Sequence, residues 1–432
     1  MIRTFAGVLA SGLLLTLIGC SGDSEAPIPP KTTLRVVHAS PDAPNVDVLV
    51  NGAKVASNVP FKGGSAFFQV DAGATEIKVN VAGTSTTALA ATPTLEAGRY
   101  YTVMATGPVS ALQPLVTDDS VQGPAADTVR VRVIHAAPKA PRVDVYVTAP
   151  GATLEGSSPT LTNVPFRGVS NLLEVPAATY RVRITATGSK APVYDSGSVP
   201  LAGGSDLVLA AVEESIGASP VTLLGLSRSL SAPTFEVSDA RAMLRAKHAS
   251  PDAPAVDIYV NGAKALAGVP FPVASDYLAI LGGTSNVKVN VAGTDVTVIN
   301  ADLPLGARKA YSVFASDLVS KLTPIVVEDD LRAPATGKAK LRAIHLSPDA
   351  PNVDVWVNGS KVLSSVPFKA ASPYLEVPAG VTDVKIAVAG TTTVVLAAMP
   401  DLKAGEIYTA AAVGTLSAVP SKPLGLNVLK DK

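Results

Sequence analysis

Alternation of apolar and polar positions is the dominant pattern along this chain. Ile77-Lys78-Val79-Asn80-Val81, Val287-Lys288-Val289-Asn290-Val291 and Val384-Lys385-Ile386-Ala387-Val388 place an apolar side chain at every second residue. A period of two puts those side chains on one face of a strand and leaves the other face wet. Leu34-Arg35-Val36-Val37-His38 and Val46-Asp47-Val48-Leu49-Val50 read as earlier strands, Arg99 to Ala105 and Ile407 to Val413 as late ones. No stretch carries the 3.6-residue period of a capped helix. Asn51-Gly52, Asn261-Gly262 and Asn358-Gly359 predict tight hairpins, because both central positions of such a turn need positive φ.

The same strand pattern returns four times around one residue type. All four histidines, His38, His135, His248 and His345, open variants of H-A-S-P-D-A-P-x-V-D. They are 97, 113 and 97 residues apart. Val-Pro-Phe recurs at Val59-Pro60-Phe61, Val164-Pro165-Phe166, Val269-Pro270-Phe271 and Val366-Pro367-Phe368, with a glycine 22 residues after each phenylalanine. One template is therefore used in tandem. About seven short strands per copy predict an all-β chain, a tandem array of four small immunoglobulin-like or transthyretin-like β-sandwich domains. Their expected spans are 32–118, 128–226, 240–328 and 339–430. The second copy replaces the Asn-Gly turn with the stretch Thr148 to Asn163, which predicts an exposed inserted loop. Polar linkers at Asp118 to Thr128, Ser227 to Ala240 and Glu328 to Ala339 predict a semi-extended string of domains.

The H-A-S-P-D-A-P-x-V-D start, the Asn-Gly hairpin and the Val-Pro-Phe turn resemble the bacterial domain family designated DUF4397. The resemblance covers nearly all of residues 32–430 as four copies, and it implies an exported, lipid-anchored or cell-surface protein. The second copy departs from the pattern, with Ala137 for serine and Lys139 for aspartate, which weakens any role for the Ser-Pro-Asp corner there. The family brings no established catalytic activity.

Three readings of the histidine motif stand side by side. In the structural one, Pro41 and Pro44 fix a corner between two strands, Asp42 accepts backbone N–H groups, and the histidine bonds across the corner toward the Val-Asp carboxylate. The residues concerned are His38, Asp42 and Asp47, then His135 and Asp144, His248, Asp252 and Asp257, and His345, Asp349 and Asp354. A metal or ligand site would draw on the same histidine and carboxylates, although one histidine per copy is few for structural zinc. A hydrolase would add Ser40 as nucleophile, which Ala137 replaces in the second copy, and no G-x-S-x-G or H-E-x-x-H sequence is present. The structural corner is the preferred reading, so no catalytic residue, metal or cofactor is expected. Trp356, Tyr259 and Tyr146 share one strand position and are expected to pack on the sheet, with glycan contact as the alternative.

The N-terminus changes the setting. Arg3 and the apolar run Phe5 to Ile18 read as an export signal, residues 1–19, that is too short to span a bilayer. Leu17-Ile18-Gly19-Cys20 resembles the lipobox of bacterial lipoproteins, which implies lipidation of Cys20, with palmitate among the acyl chains, and a Ser-, Gly- and Pro-rich tether over 20–31. Ser21 in place of aspartate favours the outer membrane in a Gram-negative cell. As the one cysteine, Cys20 leaves no internal disulfide, so the domains rest on packing. Lys+Arg and Asp+Glu are equal at 35, which removes the electrostatic basis for nucleic-acid binding. The expected partners are the membrane, through the lipid, and envelope polysaccharide or protein, with binding, adhesion or spacing as the function. A hydrolase or metal-dependent enzyme at the His-x-Ser-Pro-Asp corner is the alternative.

Overall fold

The computed structural model describes residues 29–120, 123–214, 217, 219–227, 234–417 and 422–432. The export signal, Cys20 and the tether up to residue 28 lie outside the described residues. The described chain is built of strands, with two short 3-10 turns at Val109–Ala111 and Val319–Lys321.

The first sandwich contains β1 (Lys31–Ala39), β2 (Val46–Val50), β3 (Ala53–Val59), β4 (Phe68–Asp71), β5 (Gly73–Ala74), β6 (Ile77–Val81), β7 (Thr87–Ala91), β8 (Thr94–Leu95), β9 (Tyr100–Thr106) and β10 (Gln113–Asp118). One sheet has the order β10-β9-β1-β4 and the other β3-β2-β6-β7, with β5 and β8 as a small ribbon. β1 runs parallel to β9, with His38 opposite Ala105. The other pairs in both sheets are antiparallel. Leu34, Val36, Val46, Val48, Val50, Ile77, Val79 and Val103 meet between the sheets as one buried core. The hairpin at Asn51-Gly52 has φ of 48° and 79°, as the sequence required. The Asn51 side chain also accepts the Glu76 N–H at 2.9 Å, which joins this turn to the start of β6.

Three more sandwiches follow with the same strand orders. The second gains a fifth strand, Phe235–Val237, on the edge of its Val221–Ser227 strand. That strand comes from the stretch read as a linker. The inserted loop is largely exposed, and Leu154 pins it by burying its side chain.

The string-like arrangement is not what the chain adopts. Sandwiches one and two pack their β1-type sheets against each other through Val37, Ala39 and Met104 on one side and Ile134, Ala136, Val208, Ala210, Leu224 and Leu226 on the other. Sandwiches three and four do the same through Ala249, Phe314, Ile344, Leu346, Ala411 and Val413. The first strand of each copy is therefore covered on both faces. Its apolar residues divide between the core of its own sandwich and the shared core, and its arginine is buried with them or half-buried beside them.

The two pairs join through Arg241, which donates to the Pro192 and Val193 carbonyls of sandwich two, and through a cluster of charges. Lys62 reaches Glu214 at 2.8 Å and Glu236 at 3.1 Å, and Arg308 reaches the same carboxylates at 3.0 and 3.2 Å. Those four side chains come from sandwiches one, two and three.

Candidate functional site

Each histidine is the last or next-to-last residue of the first strand of its sandwich, just before the proline corner. The four rings are 1–2 % exposed. Nδ1 of His38 accepts the Ser40 backbone N–H at 3.3 Å, and Nε2 lies 3.1 Å from the Pro44 carbonyl. The same pair of bonds joins His135 to Ala137 and Pro141, His248 to Ser250 and Pro254, and His345 to Ser347 and Pro351. A backbone N–H only donates and a carbonyl only accepts, so every ring is the neutral Nε2–H tautomer. Burial holds all four rings below the usual histidine value, opposed by the proline carbonyl and, at His345, also by Ala350, and reinforced at His248 by Lys247. Each ring also meets the phenylalanine of its own Val-Pro-Phe edge-on, at 6.0–6.2 Å between centroids. The contact survives the longer spacing of the second copy, where the inserted loop separates His135 from Phe166 in sequence.

The Val-Asp carboxylate does not pair with the histidine, contrary to the sequence reading. Asp47 instead accepts the Asn58 N–H at 2.8 Å and the Gly83 N–H at 3.2 Å, and binds Lys54 at 2.6 Å. Asp257 and Asp354 repeat the arrangement with Lys264, Gly268 and Gly293, and with Lys361, Ser365 and Gly390. Asp144 keeps the two backbone bonds, to Asn163 and Gly188. The lysine first, and then the two N–H groups, hold Asp47, Asp257 and Asp354 down to about 2. The residues that donate from the end of β3 and its equivalents, Asn58, Asn163, Gly268 and Ser365, all have positive φ, as do the four turn glycines.

The corner aspartate has a third task. Asp42 accepts the Val109 N–H at 2.8 Å, Asp252 the Val319 N–H at 2.8 Å, and Asp349 the Leu416 and Ser417 N–H groups at 2.7 and 2.9 Å. It latches the corner to the loop after β9 or its equivalent. In the second copy the polarity reverses. Glu213 comes from the far side to accept the Lys139 N–H at 2.9 Å and to bind its ammonium at 3.2 Å. The loss of aspartate there is an inverted latch rather than a missing one.

The hydrolase parts do not assemble. The serine offers the ring its backbone N–H, while its hydroxyl turns to the corner aspartate at 3.5, 3.1 and 3.3 Å in copies one, three and four. Among the described residues, no three His, Cys, Asp or Glu side chains converge as a metal site. Tyr259 lies under Lys264 and Lys288, Trp356 under Lys361, and Tyr146 under Lys190, at 4.9–5.4 Å from ring to ammonium. These rings pack beneath lysine on the sheet surface.

One set of residues escaped the sequence reading. Arginine stands three residues before every histidine, at Arg35, Arg132, Arg245 and Arg342. Arg342 of sandwich four meets Asp329 of sandwich three at 2.5 Å, and Arg245 of sandwich three meets Asp431 of sandwich four. Each aspartate also accepts a hydroxyl and a tyrosine of its own sandwich, Ser312 and Tyr277 for Asp329, Thr409 and Tyr374 for Asp431, all at 2.6 Å. In the first pair Arg132 crosses to Asp119 at 2.9 Å, and Arg35 crosses to the Ser227 carbonyl at 2.7 Å. The fixed offset from histidine was the available signal. Its meaning required the partner sandwich.

Comparison with known proteins follows the same lines. A family model described as "Domain of unknown function (DUF4397)" matches residues 32–146, 242–356 and 339–432. No curated protein matches the chain. Among solved structures, "The Bacillus anthracis TIE protein" is similar at 10 % identity and a TM-score of 0.16, over 89 % of this chain and 68 % of that one. A second, "Product complex of a multi-modular glycogen-degrading pneumococcal virulence factor SpuA", is similar at 11 % identity and a TM-score of 0.17, over 84 % of this chain and 37 % of that one.

Proposed function

The chain belongs to the DUF4397 family of domains, and from that membership and the corner geometry we propose a non-enzymatic, lipid-anchored protein of the bacterial envelope that binds or spaces through four tandem copies. One observation carries the reading. All four histidines, and the serine and aspartate of the first, third and fourth corners, make hydrogen bonds inside the fold, with the rings buried and neutral. Each imidazole uses both ring nitrogens on backbone groups, so it has no lone pair or proton free for a substrate.

In this reading the second sandwich is the fourth copy, and its geometry supports that. Its core strands follow the same order, and His135 makes the same two bonds as the other histidines. Pairing of sandwiches makes two rigid blocks, which suits presentation of a binding surface away from a membrane better than a flexible string does. Among the described residues no helix is long and apolar enough to cross a membrane. Attachment in this reading rests on Cys20, with the outer membrane favoured in a Gram-negative cell, and the partner is envelope polysaccharide or protein. Several acyl chains, at about 0.8 kcal/mol per buried methylene, would hold the chain firmly.

Cys20→Ala tests the anchor. The variant is expected to leave the membrane fraction or to remain unprocessed, and unchanged membrane partition contradicts the lipoprotein reading.

A further inference from the structure

We propose that the mouth of the second sandwich is a binding site for an uncharged, ring-bearing small molecule. A cleft of about 470 Å³ lies where the corner of sandwich one faces the open end of sandwich two. Its walls are mostly apolar, and its position between two domains is one where small-molecule sites concentrate. Val143, Ile184 and Ala211 form the floor and also line an apolar void of about 40 Å³ deeper in the same sandwich. The cleft thus leads to the end of a core.

Two positions explain why this mouth is open. Opposite the first valine of the Val-Asp strand, the other sandwiches place Val81, Val291 and Val388, and the second places Ala186. Just before the last strand of the β1-type sheet, the others carry Leu112, Leu322 and Leu424, each packed against its own core. The register puts Val221 at that place in sandwich two. Three side-chain carbons are missing from the plug.

The rim selects the chemistry. Lys139 is matched by Glu213, and Lys62 by Glu214 and Glu236. An anion would have to displace the carboxylates from Lys139 or Lys62, and a cation would compete with the Val109 N–H for Asp42, whereas a neutral ligand leaves all of these bonds intact. Phe61, Pro41 and Pro141 offer flat apolar surfaces across from the floor, which suits a planar ring. This site stands independently of the envelope function proposed above.

The test titrates N-phenyl-1-naphthylamine, an uncharged fluorescent ring compound, into the full chain carrying Cys20→Ala, so that no lipid takes up the dye. A saturable rise with one dye per chain is expected. The double replacement Ala186→Val and Val221→Leu, which restores the plug of the other sandwiches, is expected to weaken binding at least tenfold without lowering the melting temperature. If that variant misfolds, Ala186→Val alone is expected to weaken it at least threefold. No saturable rise, or equal affinity in the folded plugged variant, overturns the proposal.

Discussion

The residue just before each histidine decides how the sandwiches meet. Val37, Ile134 and Ile344 hold that place in three copies and are buried in the two inter-sandwich cores. The third copy has Lys247, 2 % exposed, whose ammonium donates to the Pro272 carbonyl at 2.7 Å and to the Asn427 side chain of sandwich four. Arg245 and His248 lie beside it, and among the described residues no carboxylate is paired with it. Burial first, and then Arg245, push the amine down to about 7. A lysine depressed in the folded state binds fewer protons there than when unfolded. Stability therefore rises with pH between about 7 and the unfolded value of 10.5, and the cost is largest below pH 7. Lys247→Val is expected to raise the melting temperature by about 2–8 °C at pH 6 and by less at pH 10. An equal gain at both pH values would show that the charge plays no part.

At the level of elements, the Val-Asp carboxylate is the tie that keeps the template constant. Asp47 reaches Asn58 and Gly83, 11 and 36 residues away, so it fixes the end of β3 and the β6–β7 turn together. The strands, the hairpins and this fixed spacing were legible in the sequence. The aspartate's partner was not, because chain proximity pointed to His38 while the true partners lie across two turns. The latch to the loop after β9 was hidden for the same reason, and its inverted form at Lys139 and Glu213 looked like a loss. Held near 2 against an ordinary 3.8, the Asp47, Asp257 and Asp354 carboxyls add stability that is complete above pH 3.8 and fades as pH falls toward 2. Replacing all three by asparagine is expected to flatten the fall of stability between pH 4 and pH 2 in acid unfolding followed by circular dichroism. An unchanged acid limb would place the tie elsewhere.

Across the whole molecule, the sequence suggested a string of domains and the chain forms two pairs. Alternation was read as one buried face per strand, but β1 and its equivalents bury both, and the second face is recognisable only with its neighbour in place. The crossed Arg342–Asp329 and Arg245–Asp431 pairs lock sandwiches three and four in a reciprocal way. Removing one member strands a buried charge, so Asp329→Ala is expected to cost about 3–5 kcal/mol. Urea unfolding should show sandwiches three and four destabilised together, whereas a loss confined to sandwich three would deny the coupling. The account as a whole rests on the four corners being internal fasteners rather than reactive sites. Histidine ring ¹⁵N NMR across pH 8 to 6, with and without added zinc, tests this most directly. Four neutral Nε2–H rings, unmoved by zinc and not titrating near 6.5, are the predicted result, and any ring that titrates there or shifts with the metal contradicts it.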